Sequence, residues 1–499
     1  MAIDLSSLVK AYDVRGVVPD QLSPQVAQAL GAAFARVIVL SDADTDADTE
    51  TAAPGGSERP GMVIGRDMRD SGPELVDAFA RGVTSAGVDV TLIGLCSTDG
   101  LYFASGQLDV PGAMFTASHN PARYNGIKLC RSGARPVGQE TGLAEVRELA
   151  QGFLDDGLPE PVADVGQVTE RDLLADYAGF LRSLVDLSGA RPLKVVVDAG
   201  NGMGGLTVPA VLGDAAGLPG LPLEIVPLFF ELDGSFPNHE ANPLEPSNLI
   251  DLQAAVVANE ADLGLAFDGD ADRCFVVDER GGAVSPSAVT ALVGLAEVTK
   301  ELAAGRTPTV IHNLITSRAV PDLLSSAGAT TVRTRVGHSF IKAQMAEHGA
   351  VFGGEHSAHY YFRDFWFADT GMLAALHVLA ALSTQDHTMS ELAEMFEPYV
   401  GSGEINSTVS DAAAATERVL DAYRAAYPGI VVDTLDGVTV SHWESHAQWW
   451  FNLRASNTEP LLRLNVEAAD QDIMEKVRDD VLSLVRESAD GPAEEEETL

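Results

Sequence analysis

Cysteine is scarce: the 499 residues hold three, Cys96, Cys130 and Cys274, with no CxxC pair. Such a set offers neither a thiolate metal site nor a disulfide framework, and it reads as a reduced, cytoplasmic chain. Basic residues are few as well. Lys and Arg number 32 against 73 Asp and Glu, a formal charge of −41, which argues against nucleic acid or an anionic membrane as a partner. No apolar run approaches the ~18 residues needed to cross a bilayer. Met1–Lys10 lacks the basic start and long apolar core of a secretory signal.

Hydrophobic residues make up 46% of the chain and charged ones 21%, the balance of a folded protein rather than a disordered one. At ~100–200 residues per domain, three or four domains are expected. Much of the acidity sits outside the periodic segments. Ser41–Pro60 is an acidic stretch with Pro and Gly, read as a surface loop, and Ala489–Leu499 is read as a solvated acidic tail. Exposed charges are screened beyond ~8 Å at physiological salt, so a local group of Arg, Lys and a metal ion can still set the potential inside a cleft.

Short β-rich runs alternate with longer amphipathic stretches, the signature of α/β architecture. Met62–Ile64 reads as a strand, with a helix after Pro73 and strands at Val88–Ile93 and Gly112–Phe115. The pattern restarts at Lys194–Val197, Leu223–Phe229 and Leu263–Phe267. A third round has strands at Thr309–His312 and Thr331–Val336, with helices from Ser317 and from near His338. Ile430–Trp443 and Trp449–Val466 alternate as antiparallel strands, and a helix follows to about Glu487. No fixed-period repeat is evident, which argues against a solenoid.

Three polar clusters carry chemistry. In Asp268-Gly-Asp-Ala-Asp-Arg273, carboxylates at alternate positions leave a buried strand and can converge on a hard cation. A solvated acidic loop is the plain alternative, while an EF-hand fits poorly because strand-like CFVV precedes Glu279. Mg²⁺, which keeps open positions for water or phosphate, suits such a site. In Thr116-Ala-Ser-His-Asn-Pro121, a tight turn after a strand lifts the Ser118 hydroxyl, with His119 and Lys128 nearby as proton carriers or charge stabilisers. Arg454-Ala-Ser-Asn-Thr-Glu-Pro460 reads as either a phosphate nest or a polar hairpin turn. Tyr12-Asp-Val-Arg-Gly16 and Gly354-Glu-His-Ser-Ala-His359 are weaker signals taken singly.

Together these segments resemble the α-D-phosphohexomutase superfamily, in its bacterial phosphomannomutase/phosphoglucomutase branch. AYDVRG, TASHNP, NGIK, DAGNGMG, HEANPLEPSNL, DGDADR, VGHSFIK, GGEHSAH and RASNTEP occur in the family's order along almost the whole chain. The resemblance implies three similar α/β domains with mixed sheets and a smaller C-terminal α+β, TATA-box-binding-protein-like domain around a central cleft. The expected boundaries are 1–170 for the phosphoserine loop, 171–282 for the metal loop, 283–398 for the sugar loop, 399–488 for the phosphate clamp and 489–499 for the tail.

The same resemblance implies Ser118 as the phosphoserine, with Mg²⁺ on Ser118, Asp268, Asp270 and Asp272. It implies Glu355, Ser357 and His359 on the sugar hydroxyls, and Arg454, Ser456, Asn457 and Thr458 on the non-reacting phosphate. Tyr12, Arg15, His119, Lys128, Arg273 and His338 match polar residues around the reacting centre, with Lys128 favoured as acid or base, assisted by Arg15 and His119. The implied reaction interconverts hexose 1- and 6-phosphates through a 1,6-bisphosphate, on mannose and also glucose, with glucose 1,6-bisphosphate as activator. Sugar phosphates are thus the expected partners, with neither nucleic acid nor membrane, and the sequence is silent on oligomeric state. The phosphoglucosamine branch is the second reading, because it more often has glycine where this chain has Asn457. A sugar-phosphate binder without catalysis, and a phosphatase or bisphosphate synthase, are the other readings. Ala117 and Ala271 stand where the family often has glycine, a change tolerated where the backbone is not left-handed. The sugar loop reads GEHSAH rather than GEMSGH.

Overall fold

The computed structural model describes residues 4–47, 59–444, 446–456 and 461–486. Two short apolar runs become central strands. Gly112–Phe115 and Leu263–Phe267 are buried at every position, as strands covered on both faces must be.

Four sheets organise the chain. In space the first runs Asp13–Val17, Tyr124–Arg131, Gly112–Phe115, Gly61–Arg66, Asp89–Leu95, Val168–Glu170. The second runs Ala283–Val284, Cys274–Asp278, Leu263–Phe267, Leu193–Asp198, Leu223–Leu228. The third runs Thr330–Thr334, Thr309–Asn313, Phe352–Gly354, Tyr360–Phe362, Ala368–Asp369. Each contains the same unit: three parallel strands, the third of which turns back into an antiparallel fourth. A structural repeat is therefore present although no sequence period announces it. The fourth sheet is wholly antiparallel, in the order Val400–Thr408, Leu461–Ala468, Trp449–Ala455, Val438–Ser441, Val431–Asp433. It is backed by the helices Ala412–Ala426 and Gln471–Arg486.

This repeat decides where the polar motifs lie. TASHNP, DGDADR and EHSAH each occupy the turn between the third and fourth strand of their unit. That turn sits at the carboxyl edge of the parallel strands, where open α/β sheets hold their ligands. RASNTEP begins on the strand Trp449–Ala455, which pairs antiparallel with Leu461–Ala468, and its residues 457–460 lie outside the described residues.

One continuous apolar core joins the second and third units to one side of the first, with Phe103, Phe180 and Trp366 meeting at ring separations of 5.1–6.2 Å. The fourth sheet has a core of its own. Its polar ties run to the third unit: Arg318 N to Glu467 Oε2 at 2.9 Å, Val336 N to Asp436 Oδ2 at 3.2 Å, and Arg333 paired with Asp433.

Two expectations need correction. Ser41–Pro60 is not loop throughout, because Leu40–Ala47 is helical and Asp42 pairs with Arg131. Residues 48–58 and the tail lie outside the described residues. An apolar stretch of membrane-spanning length does exist, in the helical run Pro24–Ala43 of mean hydropathy 1.4. Its composition has a soluble-core explanation, since 61% of it is buried in the fold, largely against the helix Gly72–Ser85.

Within the third unit, Lys342 of VGHSFIK reaches Asp369 at 2.6 Å with both side chains buried, and lies 4.3 Å from the Tyr102 ring centre. Removing one member of a buried pair strands the other charge, at about 3–5 kcal/mol. Lys342→Met is expected to lose about that much stability in urea unfolding, and Asp369→Asn with Lys342→Met to recover part of it.

Candidate active site

The serine turn begins at the end of Gly112–Phe115. Ser118 adopts a left-handed backbone at φ 50°, with its N–H donating to Thr116 Oγ1 at 2.9 Å. An L-residue held there costs about 1–2 kcal/mol, so something must hold it. That something is Arg69, which is 1% exposed. Its guanidinium donates to the carbonyls of Ser118, Asn120, Pro121 and Tyr124 at 2.7–3.0 Å, and its Nε to Asp67 Oδ2 at 3.2 Å. Arg15 supports the same turn through Ala117 O at 3.3 Å and Asn120 Oδ1, and its Nε bonds Asp13 Oδ2 at 2.7 Å.

The metal-loop turn meets this one edge to edge. A Cβ on Gly269 would come within 2.5 Å of Ser118 O, so only glycine permits the approach. Ser118 Oγ donates to Asp268 Oδ2 at 2.8 Å. Arg273 Nε and Nη2 clamp the same carboxylate at 2.9 and 2.8 Å. Lys128 Nζ bridges Asp270 Oδ2 at 2.7 Å and Asp272 Oδ2 at 2.6 Å. Asp268, Asp270 and Asp272 are buried, and each offers an oxygen within 4.8 Å of the others. Asp270 Oδ1 and Asp272 Oδ1 are buried without a hydrogen-bond partner. Orphaned carboxylate oxygens in a cluster of oxygen donors fit a hard divalent cation such as Mg²⁺.

The electrostatics follow from burial. Burial, Asp272 and Asp270 push the Asp268 carboxyl up to about 8 against the pull of Arg273. Burial works against the Lys128 ammonium, but Asp270 and Asp272 outweigh it and hold the lysine well above its ordinary value. Burial, Arg273 and Arg15 drive His119 down to about 3. The imidazole is thus neutral at physiological pH, with Nδ1 accepting from Arg273 Nη2 at 2.7 Å and lying 3.2 Å from Ser118 Oγ.

The sugar-loop turn joins through the backbone, because Arg273 and His359 form an isolated antiparallel bridge. His359 Nε2 lies 3.9 Å from Asp272 Oδ1, and Ser357 Oγ is 3.0 Å from His359 Nδ1. Glu355 is 2% exposed and accepts from Asn313 Nδ2, Gly337 N, Ser357 Oγ and Tyr361 OH at 3.1–3.3 Å. Its charge is felt at Tyr12, whose hydroxyl is pushed up by burial, then by Asp13 and Glu355. His356, where GEMSGH has Met, bonds Ser287 Oγ at 3.0 Å and does not join the Glu355–Ser357–His359 group.

Ser118, His119, Lys128, Arg15, Arg273 and the three aspartates therefore form one connected cluster with Ser357, His359 and Glu355. Arg454 and Ser456 sit apart, on the fourth sheet. Arg454 Nη2 is 3.7 Å from Glu404 Oε2, and Ser456 N donates to Leu461 O at 2.8 Å. Asn457, Thr458 and the side chain of His338 lie outside the described residues. Arg69 was not anticipated. Its sequence signal was weak but present: Asp67-Met-Arg69 directly follows a buried strand at the same sheet edge as Ser118.

The condition set on the two alanines is met once. Ala117 has no positive φ among the described residues, whereas Ala271 sits at φ 58°, and Ala358 of the sugar loop at φ 64°. The metal loop thus holds a strained alanine where glycine would relax.

With that geometry in place, family models locate the chain. Phosphoglucomutase/phosphomannomutase alpha/beta/alpha domains I, II and III match residues 6–152, 175–282 and 286–399, and the C-terminal domain matches 404–484. The chain belongs to the phosphoglucomutase/phosphomannomutase family. It is 36% identical over 481 residues to a phosphomannomutase of Escherichia coli K12, covering 96% of this chain and 98% of that one. It is 38% identical over 480 residues to the phosphohexose mutases of Xanthomonas campestris, with the same coverage. Among solved structures it resembles a phosphoglucomutase/phosphomannomutase family protein from Burkholderia thailandensis at 30% identity and TM-score 0.79, over 98% of both chains.

Two substitutions test the local argument. Arg69→Lys loses the planar fork and leaves at least one buried carbonyl unpaired, at about 1–3 kcal/mol. A lower melting temperature with faster amide exchange confined to residues 117–124 is expected. Ala271→Gly relieves left-handed strain against the entropy of glycine and is expected to gain about 0.5–1 kcal/mol in chemical unfolding.

Proposed function

We propose that the protein is a phosphohexomutase that interconverts hexose 1-phosphates and hexose 6-phosphates through phosphorylated Ser118, with mannose as the first substrate and glucose as the second. The observation that carries this reading is Ser118 Oγ, held in a left-handed turn 2.8 Å from Asp268 inside a buried group of three carboxylates. Relatives named phosphomannomutase and phosphohexose mutases support it.

Asp268, Asp270 and Asp272, with an oxygen on Ser118, would hold Mg²⁺. That ion would neutralise charge on the phosphoryl oxygens during transfer. The chain's own residues do the rest. Arg273, whose Nη2 lies 3.5 Å from Ser118 Oγ, and Lys128 on the neighbouring aspartates add positive charge at the site the phosphoryl group leaves. A sugar hydroxyl takes the phosphoryl group from Ser118, giving a 1,6-bisphosphate, and the other phosphate then returns to Ser118 after the sugar turns end for end. The hydroxyl proton needs an acceptor in one half-reaction and a donor in the other. Lys128 fills the donor role as it stands, because two carboxylates keep its ammonium charged. It would accept the proton in the other half-reaction, with neutral His119 and Arg15 assisting.

Glu355, Ser357 and His359 are assigned to the sugar hydroxyls, Tyr12 and His338 to the substrate's surroundings, and Arg454, Ser456, Asn457 and Thr458 to the non-reacting phosphate. A fourth unit with its own core, tied by a few polar contacts, suits a clamp that moves while the intermediate turns. Three free, buried cysteines suit a reducing cytoplasm, and mannose 6-phosphate chemistry there suits supply of GDP-mannose.

The test is ³¹P NMR with Mg²⁺, trace glucose 1,6-bisphosphate and mannose, glucose or glucosamine 1-phosphate. Conversion to the 6-phosphate is expected, fastest for mannose and abolished in Ser118→Ala. Absence of conversion with phosphoserine confirmed on the protein would overturn the reading in favour of binding alone. Net release of phosphate would mark a phosphatase.

A further inference from the structure

The helix Thr98–Leu108 takes no part in the chemistry above, yet its first turn is driven into the carboxylate cluster. Ser97 caps it, accepting from Gly100 N at 3.2 Å. Thr98 is fully buried and bonds Asp270 twice: Thr98 Oγ1 donates to Asp270 Oδ2 at 2.6 Å, and Thr98 N to Asp270 O at 3.0 Å. Lys128 donates to that same Oδ2 at 2.7 Å. Two donors on one oxygen fix the carboxylate's rotation, and the atom left over is Oδ1, buried and without a partner. Asp270 therefore presents a single, predetermined oxygen.

The next residue explains why Thr98 can impose this. Asp99 is fully buried. It accepts from Ser97 Oγ of its own unit, Tyr177 OH of the second unit at 2.8 Å and Thr370 Oγ1 of the third at 2.6 Å. Thr370 also caps the helix Gly371–Ser383 through Leu373 N at 3.1 Å. Gly371 in turn lies against the Arg273 backbone so closely that a Cβ there would fall 2.6 Å from Arg273 C. The helix start is thus pinned to three units at once, and the middle and the Arg273 end of the metal loop are referenced to it.

We propose that Thr98 is a positioning residue for cation binding: it orients the Asp270 carboxylate so that Oδ1 faces the ion, from a helix start anchored by Asp99. The proposal rests on the functional reading above, which supplies the Mg²⁺. Groups that orient a ligand carboxylate are worth about 10–100-fold in metal affinity or activity.

The experiment compares wild type, Thr98→Val and Thr98→Ser by calorimetric titration with Mg²⁺ and by the Mg²⁺ dependence of the mutase rate. Thr98→Val keeps the shape and removes the hydroxyl. It is expected to bind Mg²⁺ at least 10-fold more weakly and to shift half-activation by the same factor, while Thr98→Ser stays within about 3-fold of wild type. Thr98→Ala replaces the valine variant if the latter does not fold, judged by its melting transition without Mg²⁺. Wild-type Mg²⁺ affinity in the valine or alanine variant would overturn the proposal, and so would equal weakening in the serine variant. A wild type that binds Mg²⁺ but converts no sugar phosphate would defeat the functional reading and leave the affinity comparison standing.

Discussion

Three carboxylates buried within reach of one another are the constraint on which this structure turns. Each unpaired charge in such an interior is costly, and removing water makes their mutual repulsion stronger. The fold answers with cations of fixed geometry: Arg273 on Asp268, Lys128 across Asp270 and Asp272. It leaves one oxygen on each of Asp270 and Asp272 without a hydrogen bond, that of Asp272 facing His359 and Arg273 only at 3.9 and 4.0 Å. Compensation that stops short at two defined atoms is what a cation site requires. Full compensation would be more stable and would bind nothing.

Holding that balance takes residues from all three α/β units, and one apolar core joins the second and third to one side of the first. Arg69, Thr98 and Ser118 follow three neighbouring parallel strands of the first sheet, so their spacing is set by sheet geometry rather than by loop flexibility. The metal loop enters from the second sheet, and the third reaches it through the Arg273–His359 bridge and the Thr370 cap. The fourth unit, with a separate core, contributes nothing to this balance among the described contacts. It is therefore the unit whose displacement would leave the reacting centre intact.

How much of this was legible follows from what each signal depends on. The alternation of carboxylates after Leu263–Phe267 is local, and the structure reproduces both the strand and the convergence. The strand Gly112–Phe115 is equally local, an apolar run ending at the polar TASHNP, and the structure keeps its bounds. Arg69 was not legible because an arginine two residues past a strand looks like any surface arginine. Its value lies in carbonyls about 50 residues away. The acidic Ser41–Pro60 was misjudged at its start for a similar reason: helix propagation from Pro24 and the partner Arg131 outweigh local composition. The positive φ at Ala271 belongs to a tight turn in which its N–H donates to Asp268 O at 3.0 Å, and the residue type alone does not announce it.

A net charge of −41 and an anionic substrate are reconciled at the same centre. The surplus acid is largely exposed and screened within a Debye length of about 8 Å. By contrast Arg15, Lys128 and Arg273 are held at the serine and aspartate turns, each aimed by a carboxylate that also neutralises part of it, while Arg69 commits its donors to the serine turn's own carbonyls and to Asp67. A phosphate arriving there meets donors whose positions were fixed during folding, so little reorganisation remains for the reaction to supply. The bulk charge governs how the molecule meets solvent. The few buried cations, oriented by aspartates, govern what Ser118 can do.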